Sequence, residues 1–233
     1  DIGGGEAESI ESSEVAMASD LGQDAHLFFT VDGSAPDFTS TPYTGPFLLT
    51  NTATIRALAY DAGYARSAEA APIVVRVLPT YPLSATAPGG GALDISPPAF
   101  RADNLYVGDT AVTLTATPSN GWSFLRWSGD SSAETNVITV LMDQPRSVQA
   151  VFGTRLSLTT NGNGEVRLDP SAGPYAYAST VHLTALPLTG AYFFGWGGVA
   201  SGSADPLSFT VHESLPAITA LFGPLKSNEV SLT

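Results

Sequence analysis

Apolar and polar residues alternate with a period of two along most of the chain, interrupted every roughly 8 to 12 residues by Gly, Pro, Asp or Asn. That period sends successive side chains to opposite faces of an extended backbone, so it predicts half-buried β-strands. The run Leu27-Phe28-Phe29-Thr30-Val31 ends in Asp32-Gly33-Ser34, where Asp can bond its own backbone and Gly supplies a left-handed φ. Further strands are predicted after Tyr43-Thr44-Gly45-Pro46, over Ala53 to Tyr60 with Ile55, Ala57 and Ala59 on one face, and over Pro72 to Leu78. No stretch carries the helical period. Ahead of these strands, residues 1–24 hold three consecutive glycines and seven acids without a base, which predicts a solvated, extended lead-in. One edge strand is predicted within it, over Ser12 to Ser19.

The stretch VTLTATPSNGWSFLRWSGD, Val112 to Asp130, returns as VHLTALPLTGAYFFGWGGV from Val181 to Val199. Self-similarity of this kind means that one supersecondary unit has been copied and that both copies fold alike. Upstream, Pro82 to Pro97 matches Arg155 to Pro170 without a gap, a predicted hairpin that turns at Gly89 to Gly91 and at Gly162 to Gly164. Downstream, VITVLM around Val140 matches SFTVHE around Val211, and SVQAVFG ending at Gly153 matches AITALFG ending at Gly223. The copies differ in length around Ala99 to Tyr106.

The chain therefore divides into an acidic lead-in plus β-sandwich (1–79), a first repeat (80–153), a second repeat (154–223) and a tail (224–233). Pro79 and Pro82 bound a short, stiff join, and almost no linker separates the repeats at Gly153-Thr154, so three lobes in line are expected. The fold class is all-β. In the first module, several short strands set apart by turn residues predict a sandwich of immunoglobulin or fibronectin type III kind. The tail segment Glu229-Val230-Ser231-Leu232-Thr233 has the alternation of Arg155 to Thr159, which suits it to join a sheet edge, in a neighbouring chain or as the first strand of another repeat.

Composition narrows the function. The net charge is −13, with eleven acids against three arginines in residues 1–79. A phosphate backbone would be repelled, so no nucleic acid is expected as a partner. Apolar runs such as Ala70 to Val75 are far shorter than the roughly 20 residues a membrane helix needs, so no membrane insertion is expected. Cysteine is absent and Lys226 is the sole lysine, which excludes disulfides and Lys–Asn isopeptide staples within the three modules.

Two families carry these residues in this order. Phe28 to Ser34, Pro36, the Tyr43-Thr44-Gly45-Pro46 turn and ATIRALAYDAGYARS from Ala53 to Ser67 resemble the chitobiase/β-hexosaminidase C-terminal module, over about residues 12–79. The Gly-rich hairpin, VTLTATP, GWSFLRWSGD, the strand around Val140 and the closing Ala-Val-Phe resemble the divergent internalin-type B repeats, over about 82–153 and again 154–223. The second copy departs in having Ala191 for Trp122 and Gly198-Val199 for Gly129-Asp130. These resemblances imply two compact β-grasp-like or β-meander repeats in a bacterial extracellular or cell-surface protein, with no enzymatic activity attached.

Positions where the copies agree belong to the core: Trp127 with Trp196, Phe124 with Phe193, Phe152 with Phe222, Pro118 with Pro187. Where they disagree, function has room. Trp122 follows the Ser119-Asn120-Gly121 turn, where an indole can stack on a sugar face with help from Tyr106, Tyr175 and Tyr177, or can anchor the loop. The histidines His182 and His212 fall on strands and lack acids at metal-ligand spacing, so no metal and no cofactor is expected. Asp32 and Asp37 flank a turn and read as turn caps before they read as calcium ligands. No nucleophile elbow, phosphate loop or convergent acid–base set is present, so the chain reads as no enzyme. The expected role is that of a structural spacer, adhesion or attachment element. The alternatives are a carbohydrate-binding region of a secreted polysaccharide-degrading enzyme, with polysaccharide as partner, and a head-to-tail filament subunit that binds copies of itself through Glu229, Val230, Ser231 and Leu232.

Overall fold

The computed structural model describes residues 5–226, and among them every regular element is a strand. The candidate assembly residues Glu229, Val230, Ser231 and Leu232 lie outside the described residues. The described residues form two compact units, one of residues 5–82 with 99–110 and 142–145, the other of 83–98, 111–141 and 146–226. The second unit thus holds most of both repeats.

In the first unit, β1 (Glu6–Ile10), β2 (Ser13–Val15), β3 (His26–Thr30), β4 (Thr41–Pro42), β5 (Phe47–Leu49), β6 (Ala53–Tyr60), β7 (Ser67–Glu69) and β8 (Ile73–Leu78) follow in order. One sheet runs β1-β8-β6-β3-β4, with β7 also on β6, and β2 pairs with β5 in a second. Ile55, Val75 and Val77 are buried, with Ala7, Val15, Met17, Leu49 and Ile73 packed on them, so both sheets contribute to the core. Phe29 is half-buried and stacks on Phe47 at 4.6 Å.

The acidic start differs from the solvated lead-in expected of it. Glu6 to Ile10 pairs parallel with Val74 to Leu78. An edge strand needs only one face toward the core, and Ala7 and Ser9 turn that way, with Ala7 packed on the buried cluster, while Glu6 and Glu8 on the other face stay in water. Charge count alone concealed that period.

Four carboxylates of this unit are held below their ordinary range by donors around them. The Thr80 hydroxyl and then Arg101 act on Glu11, the Ser34 hydroxyl on Asp32, the Thr39 hydroxyl on Asp37, and the Arg66 backbone N–H on Asp61. A carboxylate with a lowered folded-state value stabilises the fold above its ordinary range and stops doing so as the pH falls through the lowered value. Hydrogen exchange of β3 and β6 should therefore accelerate as the pH is taken below about 4, beyond the intrinsic pH dependence. Asp61→Asn should flatten that trend, and an identical trend in the variant would contradict the assignment.

The first repeat comprises β9 (Thr80–Thr86), β10 (Gly91–Ser96), β11 (Leu105–Val107), β12 (Ala111–Pro118), β13 (Ser123–Gly129), β14 (Val137–Leu141) and β15 (Arg146–Thr154). The second comprises β16 (Ser157–Asn161), β17 (Gly164–Asp169), β18 (Tyr175–Ala176), β19 (Thr180–Pro187), β20 (Ala191–Gly198), β21 (Leu207–Thr210) and β22 (Ala217–Pro224). Each repeat has an antiparallel trio, β10-β12-β14 or β17-β19-β21, and a mixed trio, β9-β15-β13 or β16-β22-β20. Even the bulge is copied, at Phe124/Arg126 in β13 and at Phe193/Gly195 in β20.

Inward positions coincide as well. Val112, Leu114, Ala116, Trp127, Val148, Ala150 and Phe152 are buried, as are Val181, Leu183, Ala185, Trp196, Ile218, Ala220 and Phe222. One match shifts by two residues: Val140 pairs with Val112 and Phe209 with Val181, so Val140 corresponds to Phe209 rather than Val211. A slip of two keeps every side chain on its face, so alternation alone does not detect it.

Candidate functional site

A shared ladder and a cluster of rings join the two repeats. Gly153 and Thr154, the last residues of β15, pair antiparallel with Ala176 and Tyr175 of β18, and the Tyr177 N–H donates to the Phe152 carbonyl at 2.9 Å. The first repeat's outer sheet therefore gains a strand from the second. Thr154 is a buried polar residue, with its hydroxyl donating to the Gly121 carbonyl at 2.7 Å and accepting the Leu215 N–H at 2.9 Å. One side chain thus bonds the Gly121 turn of the first repeat to a loop of the second.

Trp122 stands beside it. The indole is half-buried, packs on the core of the second repeat, and lies 5.9 Å from the Tyr177 ring, which meets His212 edge-on at 5.3 Å. Both aromatic side chains rest on glycine: a β-carbon at Gly90 would lie 2.6 Å from the indole, and one at Gly89 would overlap the Tyr177 ring. The triple glycine expected as a plain hairpin turn is thus also the seat of this cluster. Gly121 takes φ +78°, and a β-carbon there would lie 2.9 Å from Ser214.

The tyrosines proposed to assist Trp122 separate into two kinds. Tyr177 belongs to the cluster. Tyr106 and Tyr175 are 3% and 6% exposed, and burial pushes both phenols above their ordinary range. A ring this deeply covered offers no face to a sugar, which corrects their assignment as binding residues. They are equivalents of one another, each six residues ahead of the shared valine, Val112 or Val181. Tyr106 pairs with Tyr81 as Tyr175 pairs with Thr154, and three residues later Asp109 and Ala178 both take a left-handed φ, 65° and 62°. Extending the sequence match back past the valine reveals this pair.

Other candidates sit apart from the cluster or serve local structure. The His182 Nδ1 lies 3.0 Å from the Ser208 hydroxyl. Asp32 accepts the Ser34 N–H at 3.0 Å, and Asp37 the Thr39 N–H at 2.7 Å, so each closes its own turn. Among the described residues no group of three or more His, Cys, Asp or Glu converges as a metal site.

Residues 81–155 and 154–225 each match the divergent InlB B-repeat domain, and residues 5–70 match the chitobiase/β-hexosaminidase C-terminal domain. No curated protein matches the chain. Among solved structures the Bacillus anthracis TIE protein is similar at 7% identity with a TM-score of 0.25, over 90% of this chain and 50% of that one. The chain thus spans half the length of that protein. Both matched domain types are non-catalytic accessory modules typical of bacterial extracellular or surface proteins. With two consecutive matches that together run from residue 81 to 225, the chain belongs to the divergent InlB B-repeat family, its repeats preceded by a module of the chitobiase/β-hexosaminidase C-terminal type.

Proposed function

We propose that the chain is a structural spacer of a bacterial extracellular or surface protein, in which the two repeats act as one stiff element. The observation that carries this reading is the junction itself: a β-ladder between Gly153-Thr154 and Tyr175-Ala176, closed by Trp122 against Tyr177. A flexible tether would have a solvated, Gly/Ser-rich link here. Instead the link is a strand whose polar side chain is buried and bonded on both sides. Trp122 serves this junction, which favours the spacer over a sugar-binding role for the indole.

Trp122→Ala should loosen the junction without unfolding either repeat, because the indole is only half-buried and its loss removes about 1–2 kcal/mol of apolar contact. Backbone ¹⁵N relaxation reads the effect. Wild type should show a single tumbling time for both repeats, and the variant shorter times that differ between them. A polysaccharide array bound by wild type and lost in Trp122→Ala, with tumbling unchanged, would instead support the carbohydrate-binding alternative.

A further inference from the structure

Two strand ends in this chain are clasped in the same way, and a third has the same form. Val107 and Tyr106 of β11 lie along Thr80 and Tyr81, with the Gly108 N–H on the Pro79 carbonyl at 2.8 Å. Ala176 and Tyr175 of β18 lie along Gly153 and Thr154, with the Tyr177 N–H on the Phe152 carbonyl. The corresponding end of the second repeat is Phe222-Gly223-Pro224 of β22. Among the described residues β20 takes one edge of this end, with Ala191, Tyr192 and Phe193 opposite Pro224, Gly223 and Phe222, as β13 does for β15; β16 stops opposite Leu221, so no ladder occupies the edge that β18 takes on β15.

The side chains around that end match an unfinished junction. Leu125, the extra residue of the β13 bulge, is half-buried; a β-carbon at Gly153 would lie 2.7 Å from it and 2.9 Å from the Tyr175 carbonyl oxygen. Its counterpart Phe194, the extra residue of the β20 bulge, is 64% exposed, with Tyr192 at 45% and Leu225 at 61%. Phe194, Leu221, Phe222, Gly223 and Asn161 line a groove of about 330 Å³. Apolar surface of this kind, continuous with a strand end whose second edge carries no ladder among the described residues, is a template for β-addition.

We infer that this face is a docking surface for a further repeat module of the same family, which lays a short strand bearing a Tyr along Phe222-Gly223 and covers Phe194. The inference rests on the stiff-junction reading. A second copy of the chain is the poorer occupant, because its own β11 and β18 are already engaged. Pro224 stands where Thr154 does, and it has neither an N–H nor a hydroxyl to give. The third junction is therefore held by fewer hydrogen bonds than the second.

The test is a chain in which residues 155–225 are repeated after Pro224, studied by amide hydrogen exchange with the Tyr177 N–H of each copy as the reporter. The appended Tyr177 amide should exchange about tenfold or more slower than its unstructured rate, and less slowly than the native one. Phe194→Asp in the original repeat should return the appended amide to the unstructured rate and leave the native amide unchanged. An unprotected appended amide beside a protected native one overturns this inference alone. An unprotected native amide overturns the stiff-junction reading and the inference with it. Concentration-dependent dimerisation of the unextended chain, abolished by Phe194→Asp, would identify a second copy as occupant and overturn the inference as well.

Discussion

Trp127→Ala is expected to destabilise the first repeat by about 3–5 kcal/mol, which is most of what a module of this size has to lose. The indole is fully buried, packs against Phe124 at 5.6 Å between ring centres, and donates its Nε1–H to the Thr135 carbonyl at 2.9 Å. Deleting it leaves a cavity the size of the ring between two sheets whose strands are fixed by their ladders, so little collapse can fill the space. Trp127→Phe keeps most of the apolar contact and removes the hydrogen bond, and should cost about 1–2 kcal/mol for the Thr135 carbonyl left without its donor. Trp196 repeats the arrangement, with its Nε1 2.8 Å from the Ala204 carbonyl, so the same series there should give the same order. Urea unfolding followed by circular dichroism measures the differences. If Trp127→Ala moves the midpoint no further than Phe38→Ala, at a residue 67% exposed, the core assignment is wrong.

Gly198→Ala is the second large effect. Gly198 has φ +84° at the end of β20, and a β-carbon there would overlap the Ala217 carbonyl oxygen. The left-handed backbone alone costs a β-carbon about 1–2 kcal/mol, and the overlap requires the β20–β22 ladder to part, so the total should exceed about 2 kcal/mol. Gly190 separates the two contributions: its φ is +81° with nothing within 4 Å of the added carbon. Gly190→Ala should therefore cost the backbone share alone. Equal midpoints for the two variants would show that the Ala217 contact does not matter. Gly129, with φ +90° against the Ser147 carbonyl, should behave as Gly198 does.

The copied elements were legible in the sequence because each core position is written twice. Trp127 with Trp196 and Phe152 with Phe222 identify themselves by agreement and are buried, whereas Pro118 and Pro187, expected in the core on the same ground, agree and are exposed because each ends its strand. The agreement extends past Val112 and Val181: Tyr106 and Tyr175 match six positions earlier, and both are buried. The junction is harder to read, for a physical reason. Its members are the positions at which the copies differ: Trp122 against Ala191, Tyr177 against Gly108, Thr154 against Pro224. The ladder has an echo in β11 along Thr80-Tyr81, but the side-chain contacts of this junction occur once among the described residues, and they join residues as far apart as Gly90, Trp122 and Tyr177. Disagreement between copies marked Trp122 as special, but whether a sugar or the next repeat covers the indole depends on chain path. In the first module, β1 was hidden because its outward residues are the acids that dominate the composition.

Residual dipolar couplings of the backbone amides of both repeats, measured in one weakly aligned sample, test the central claim most directly. If the β15–β18 ladder and the Trp122–Tyr177 contact hold the repeats as one stiff element, the couplings of residues 111–141 and of 157–224 fit one alignment tensor of common magnitude and orientation. Two tensors, with that of either repeat clearly reduced in magnitude, would mean that the repeats move independently and would contradict the account.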